Sequence, residues 1–220
     1  KDKKGRIIGY DVDMAKKMAK DMGVKLKLVP TSWDGIIAGL VTGKFDMIMS
    51  GMTITQARNL KVNFANPYIV VGQTIVMNNR HKGKISEAKQ LDKKGFVIAT
   101  KLGVTGEIAT RKFFKEATIK TFETEADAAT EVLNGRADAF VYDQPYNVLF
   151  MSGKGKGKAV HLDTPLTYEP LGWAIRKGDP DFLNWLNNFL RQVKEDKVIN
   201  FHEKLYNKWL VDTKWLKRVQ

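Results

Sequence analysis

The chain has 220 residues, of which 43% are hydrophobic, so it can bury a sizeable core arranged as one or two domains. It contains no cysteine, which excludes disulfides and thiolate metal sites, and no apolar run approaches the ~18 residues of a membrane span. The net charge of +13 raises nucleic acid or an anionic membrane as a partner, but basic and acidic residues are interleaved along the chain, so we expect a solvated, lysine-rich surface.

The first elements along the chain are a helix and a strand that precede a tryptophan. Asp11 is predicted to cap a helix with methionines on one face, and Gly23 to end it. In residues 24–28 apolar side chains alternate with lysines, which predicts a strand. Trp33 follows that strand. Open α/β sheets bind ligands at the carboxyl ends of strands, so Trp33 is either a platform for a ligand or a core residue.

The next strand end carries a set of hydrogen-bond donors. The apolar run at residues 45–49 predicts a buried strand that ends at Ser50. Gly51, Thr53 and Arg58 follow, which places backbone N–H groups, a hydroxyl and a guanidinium together. Such donors suit a carboxylate, which arginine can bind through two parallel hydrogen bonds. The alternative is a turn with a capping threonine and a solvated arginine.

A similar arrangement recurs in the second half of the chain. At Gly43 and again at Gly135 a helix ends, a basic residue follows, and an aspartate opens a short apolar strand. The first copy leads to Arg58 and the second to Asp143. One copy therefore ends in donors and a cation, and the other in an anion, a combination that suits the zwitterion of an α-amino acid. The alternative is that helix–glycine–strand is an ordinary connection in α/β proteins.

The segments between and after the two copies predict crossings between two lobes. The apolar run from Ile69 to Met77, interrupted by Gly72-Gln73, predicts a strand that passes from one lobe to the other, and residues 164–170 predict a second crossing. A glycine-flanked loop from Lys101 opens a helix at Thr105, and helix N-termini favour anions. Thr105 is therefore a second candidate donor to a carboxylate. Asp179 is predicted to cap a later helix.

Five motifs occur in the order and spacing of one protein family: Gly9-Tyr10-Asp11-Val12-Asp13-Met14-Ala15, Gly43-Lys44-Phe45-Asp46, Ser50-Gly51-Met52-Thr53-Ile54-Thr55 with Arg58, Val62-Asn63-Phe64-Ala65-Asn66-Pro67-Tyr68, and Gly135-Arg136-Ala137-Asp138. The chain resembles type II solute-binding proteins of the group that serves ABC importers of polar amino acids. The resemblance covers nearly the whole chain. It implies an α/β fold of two lobes that close over a ligand about two hinge strands, with residues 1–71 and 168–220 in lobe 1 and residues 72–167 in lobe 2.

The resemblance also implies roles for individual residues. It assigns the α-carboxylate of the ligand to Arg58 and to the backbone of Thr53 and Thr105. The α-ammonium would bind Asp143 and the carbonyl of Gly51.

The side chain of the ligand is less constrained. Trp33 would stack on it, and a guanidinium suits such a cation–π contact. Lys101 and Gln144 would instead serve a carboxamide or an acidic group, and Ser50 completes the donor set. Arginine is the favoured ligand and glutamine the next.

An enzyme on the same fold is the alternative function. Cyclohexadienyl dehydratases share Pro30-Thr31-Ser32-Trp33 and Met49-Ser50-Gly51 with this chain. Their chemistry needs a general acid, which in that family is a glutamate three residues after the aspartate that matches Asp143. Here that position holds Tyr146, a weak acid at neutral pH. We therefore expect a binding protein with no catalytic residue, no metal and no cofactor.

The resemblance further implies location and partners. We expect a monomer in the periplasm, or one anchored by lipid at the cell surface, after removal of a signal segment. Its partners would be an amino acid and the membrane subunits of an ABC importer, with no nucleic acid and no membrane span of its own. The family begins with a strand and an aromatic loop ahead of the position of Lys1, so we expect the working protein to carry that segment.

Overall fold

The computed structural model describes residues 2–219, without the side chain of Arg218, and shows a mixed α/β protein. It divides into two compact units. Unit 1 comprises Lys1–Val70 and Pro170–Gln220, and unit 2 comprises Val71–Glu169.

The helices are α1 (Tyr10–Asp21), α2 (Ile36–Val41), α3 (Gln56–Asn59), α4 (Thr105–Phe113), α5 (Glu125–Leu133), α6 (Gln144–Ser152), α7 (Pro180–Glu195) and α8 (Phe201–Tyr206). The strands are β1 (Met47–Ile48), β2 (Asn63–Phe64), β3 (Ile69–Val71), β4 (Gln73–Asn78), β5 (Val97–Lys101), β6 (Thr118–Phe122), β7 (Ala139–Asp143), β8 (Ala159–Leu162), β9 (Glu169–Leu171) and β10 (Ala174–Ile175). Short 3₁₀ turns lie at Trp33–Gly35, Asn79–His81, Ala88–Leu91 and Lys214–Arg218, and a π turn lies at Asn207–Val211.

Unit 1 is built on a three-stranded antiparallel sheet in the order β1-β10-β2. Leu40 of α2 and Ile48 of β1 are fully buried together in its core, as the apolar spacing of these segments predicts. Helix α7 begins at Pro180, where Asp179 accepts a hydrogen bond from the N–H of Phe182 at 2.9 Å. The predicted cap of α7 is therefore confirmed.

Residues 24–28 do not form the strand that their alternating pattern predicts. The side chains of Val24, Leu26 and Leu28 stay exposed, because a strand needs a neighbour with which to exchange backbone hydrogen bonds. The segment instead lines a cavity of about 1020 Å³, which Met47 and Ile48 also line. Within the described residues β1 pairs only with β10, and it is shorter than the predicted strand.

Unit 2 is built on a five-stranded sheet in the order β6-β5-β7-β4-β8, in which β4 is antiparallel to both of its neighbours. Side chains alternate across this sheet with a period of two residues. Val76 packs on one face with Val132 of α5, whereas Ile75 and Met77 pack on the other face with Phe114. Both faces are buried, which accounts for the long apolar run of β4 in the sequence.

The chain leaves unit 1 after Val70 and returns at Pro170, and both points lie in the paired strands β3 and β9. The predicted interruption of the first crossing is present, because β3 ends at Val71 and β4 begins at Gln73. A Cβ atom on Gly72 would lie 2.6 Å from Cβ of Pro165, so only glycine fits there. The second crossing was predicted at residues 164–170, and β9 overlaps the end of that segment.

Asp138, which opens β7, links three segments of unit 2. Its Oδ1 accepts hydrogen bonds from Arg80 at 2.6 Å and contacts the His81 ring at 2.7 Å, and its Oδ2 accepts the N–H of Val97 at 2.8 Å. Burial opposes ionisation of this carboxyl, but the Arg80, Val97 and His81 contacts outweigh it and hold its pKa below the ordinary value. The ionised carboxylate therefore stabilises the fold.

We expect Asp138→Asn to lower the free energy of unfolding by about 2 kcal/mol at neutral pH. The uncharged amide would lose the ionic contacts of the carboxylate, and it could also place its own N–H donor against the N–H of Val97. A depressed pKa gives stability that is present above the unfolded pKa and is lost as the pH falls through the folded pKa. The difference in the free energy of unfolding between Asp138→Asn and the unmodified protein should therefore become smaller below about pH 4. Denaturant unfolding across that range measures it.

The matched control is Asp46→Asn, because Asp46 holds the equivalent position in the first copy of the motif. The Asp46 side chain is 88% exposed and contacts Arg176 at 3.1 Å. Exposed ion pairs contribute little, so its replacement should leave stability nearly unchanged. Equal losses in both variants would contradict the role given to the Asp138 contacts.

Candidate functional site

Asp11 holds the strand end of unit 1 in place. Its Oδ2 accepts hydrogen bonds from the N–H of Gly51 and the hydroxyl of Tyr68, both at 3.1 Å, and its Oδ1 accepts the indole N–H of Trp173 at 3.0 Å. The prediction that Asp11 caps α1 is wrong: Gly9 is the N-cap, and Asp11 lies within the first turn. Its carboxylate anchors the loop after β1 instead.

The environment of Asp11 is mostly aromatic. Tyr10 stacks on Tyr68 with ring centroids 5.6 Å apart, and Tyr68 stacks on Trp173 at 5.2 Å. Burial raises the pKa of the Asp11 carboxyl, and its three donors limit that rise. Burial, followed by the nearby Asp11 charge, raises the pKa of the Tyr68 hydroxyl well above its ordinary value, so the hydroxyl stays protonated and donates.

The predicted donors of unit 1 lie together beyond this anchor. Thr55 caps α3 by accepting the N–H of Arg58 at 3.2 Å. The guanidinium of Arg58 donates to the carbonyl of Thr53 at 2.7 Å, and its central carbon lies 5.5 Å from the ring centroid of Trp33. Thr53 is buried and bridges to Leu171. The arginine is therefore oriented by a carbonyl and an aromatic face, and its role in binding a carboxylate stays a prediction.

Ser50 lines a cavity that the other predicted residues, Trp33 and Arg58, do not line. It is exposed and lines the cavity of about 1020 Å³. Among the described residues that line this cavity, neither Trp33 nor Arg58 occurs. The structure therefore groups Trp33, Thr53 and Arg58, with Gly51 close in sequence, and places Ser50 on the cavity side.

In unit 2, Asp143 lies where the second copy of the motif predicts it. It is the last residue of β7, and α6 begins at the next residue, whose N–H donates to the carbonyl of Gly72 at 2.9 Å. One carboxylate oxygen, Oδ1, accepts a hydrogen bond from Nε2 of Gln73 at 2.6 Å. In the β4–β7 ladder Gln73 stands directly opposite Asp143. The carboxylate is thus held at a strand end by a neighbouring strand.

The other two predicted residues of unit 2 lie at the end of β5 and the start of α4. The ammonium of Lys101 lies 2.8 Å from Oε2 of Glu125, so it is paired within its own unit. Thr105 is the first residue of α4. Gly103, which precedes the helix, donates its N–H to the carboxylate of Glu107 at 2.8 Å. Lys101 is therefore neutralised, and the helix start carries backbone N–H groups.

Tyr146, which occupies the position of the dehydratase acid, lies in an aromatic cluster. Its ring contacts Phe140, Tyr142 and Phe150 with centroids 5.2 to 6.3 Å away. Burial, followed by the charge of Glu125, raises the pKa of its hydroxyl above the ordinary value. A phenol in that state is a poor proton donor for a leaving hydroxyl at neutral pH.

Sequence reasoning missed the residues that hold the candidate residues in place. Asp11 and Tyr68 lie in the family motifs but have no local pattern that indicates a contact with Gly51. Gln73 is a polar residue within an apolar strand, which is a detectable anomaly, and it was interpreted only as an interruption. Among residues 2–219, no group of His, Asp and Glu could hold a metal ion, and no helix is long and apolar enough to cross a membrane.

These features define an α/β protein of two compact units in which one strand end carries an oriented arginine and another carries a held carboxylate. The chain belongs to the bacterial extracellular solute-binding proteins, family 3, whose family model matches residues 1–212.

The chain is similar to proteins of known structure or activity. One similar crystal structure is that of a protein from Wolinella succinogenes, named as a binding component of an ABC transporter and complexed with lysine. It is 61% identical to this chain with a TM-score of 0.95, and the match covers 99% of this chain and 92% of that chain. An ancestral cationic amino acid solute-binding protein, AncCDT-1, is 49% identical with a TM-score of 0.78 and coverages of 96% and 89%. The cyclohexadienyl dehydratase of Pseudomonas aeruginosa is 29% identical over 195 residues, which cover 89% of this chain and 72% of the enzyme.

Proposed function

We propose that this chain captures a cationic L-α-amino acid outside the cytoplasm and delivers it to an ABC importer. The observation that carries the proposal is the guanidinium of Arg58, which the Thr53 carbonyl and the Trp33 ring orient at a strand end. A planar guanidinium held in this way suits the bidentate binding of a carboxylate. The carboxylate of Asp143 supplies the complementary charge for the α-ammonium.

Arginine is the ligand that we favour, with lysine and glutamine next. The complex of the Wolinella succinogenes protein with lysine and the cationic ligand class of AncCDT-1 both support a basic side chain. The ion pair of Lys101 with Glu125 supports it further, because a neutralised ammonium opposes a cationic ligand less than a lone one would. Trp33 is the proposed contact for the side chain of the ligand.

The dehydratase relative makes an enzyme the second candidate. Against it stands the position of Tyr146, which lies in an aromatic cluster and whose hydroxyl has a raised pKa. The reaction also needs a general acid at that position. We therefore propose that the chain binds without catalysing.

Thermal unfolding against the twenty L-amino acids and prephenate tests this choice. A ligand that binds only the native state raises the melting temperature, with about 2.7 kcal/mol of added stability at a concentration 100 times its Kd. We expect arginine and lysine to give the largest shifts, and prephenate to give no shift and no product. A response to prephenate alone, with release of phenylpyruvate, would contradict the proposal.

A further inference from the structure

The amide of Gln73 is a buried polar group with a hydrogen-bond partner at one end and none at the other. Gln73 lies at the start of β4, opposite Asp143, and its side chain has no exposed surface. Its Nε2 donates to Oδ1 of Asp143 at 2.6 Å. An ionised carboxylate can only accept hydrogen bonds, so the nitrogen of the amide must be the end that faces Asp143.

The other end of the same amide is unsatisfied. Oε1 of Gln73 is buried and has no hydrogen-bond partner among the described residues. It lies against the first turn of α4, where a Cβ atom on Gly106 would come within 2.6 Å of it. A buried acceptor without a partner lowers stability. An apolar side chain would avoid that cost, so the amide is better explained by what it does for Asp143.

We propose that Gln73 is a positioning residue that holds the Asp143 carboxylate in the orientation that receives the α-ammonium of the ligand. This inference rests on the proposed function. A donor on one oxygen restricts rotation of the carboxylate, which reduces the ordering that ligand binding would otherwise require. An amide does this without adding charge, whereas a lysine or arginine at residue 73 would neutralise the anion. Gly106 leaves the space that the amide occupies.

The first test is Gln73→Met, which keeps the length of the side chain and removes both polar ends. We expect its affinity for L-arginine to fall by about 10- to 100-fold, which is the loss found when residues that orient the ligands of a metal are replaced. Its affinity for arginine that lacks the α-amino group should stay unchanged, because that analogue does not use Asp143. Calorimetric titration of both ligands measures the two effects.

Gly106→Ala is a second variant that perturbs the same amide from the side of α4. Gly106 does not have a positive φ, so alanine suits its backbone, and its Cβ would displace Oε1. We expect the same selective loss for arginine. In the Asp143→Asn background, Gln73→Met should have little further effect, because the two residues act through one contact.

Asn147→Leu is the matched control for removal of a buried amide. Nδ2 of Asn147 donates to the carbonyl and hydroxyl of Thr74 and to the carbonyl of Tyr142, and none of these contacts involves Asp143. This variant should lower the melting temperature and leave the affinity of the folded protein unchanged.

The outcomes separate the inference from the function on which it rests. If the unmodified protein binds L-arginine and Gln73→Met binds it equally well, the positioning role is wrong and the function stands. Equal losses for arginine and its deaminated analogue would show a general structural role and would also overturn the inference. An unmodified protein that binds no amino acid would overturn the proposed function, and the inference with it.

Discussion

Replacing Arg58 with alanine is expected to weaken the binding of L-arginine by about 100- to 1000-fold, or about 3–4 kcal/mol. The guanidinium is the proposed partner of the α-carboxylate, and its loss would leave a desolvated anion without its charged donor. The contacts of Arg58 with Thr53 and Trp33 show that the side chain is oriented rather than free to rotate. Calorimetric titration of the purified variant measures the change.

Two variants control for the effect of Arg58→Ala. Arg58→Lys keeps the charge but loses the planar guanidinium, so its affinity for L-arginine should lie between those of the unmodified protein and Arg58→Ala. Arg176→Ala removes an arginine of the same unit that donates to the carbonyls of Leu40 and Phe45, so it should affect stability without affecting affinity. Normal binding by Arg58→Ala, or an equal loss in Arg176→Ala, would refute the assignment of Arg58.

The second large effect is expected for Asp143→Asn. We expect the affinity for L-arginine to fall by about 100-fold, or about 3 kcal/mol, because the variant keeps the shape of the side chain and loses the charge that attracts the α-ammonium. The amide oxygen can still accept the hydrogen bond of Gln73, so the fold should be nearly unperturbed. Titration under the same conditions as for Arg58→Ala makes the two losses comparable.

The matched control is Asp163→Asn, which changes the net charge equally within the same unit. Asp163 accepts a hydrogen bond from Gln144 at 2.7 Å and is 61% exposed, so its loss should not alter affinity. The ligand provides a second control. Arginine without its α-amino group should bind Asp143→Asn and the unmodified protein alike, and a large difference between them would mean that Asp143 acts on another part of the ligand.

The strand ends that carry the proposed site could be predicted because they depend on local order in the sequence. The apolar run before Ser50 and the one before Asp143 each give rise to a strand of the structure. The candidate residues lie at the end of that strand or follow it closely in the sequence. Thr55 and Arg58 are near neighbours, so their grouping needs only a turn and a cap. Predictions of this kind rest on contacts between residues close in sequence.

The predictions that failed depend on partners far away in the chain. Residues 24–28 alternate as a strand should, but a strand also needs a neighbour, which the pattern cannot supply. Asp11 was predicted to cap a helix, yet its partners are Gly51, Tyr68 and Trp173, which only the folded chain brings to it. The contact of Gln73 with Asp143 likewise depends on the register of β4 against β7.

The most direct measurement is a calorimetric titration of the unmodified protein with L-arginine, with agmatine, which lacks the carboxylate, and with arginine that lacks the α-amino group. We expect one site for L-arginine and affinities at least about 100-fold weaker for both analogues, since each removes one charged contact. Equal affinity for agmatine and L-arginine, or no binding of any basic amino acid, would contradict this expectation.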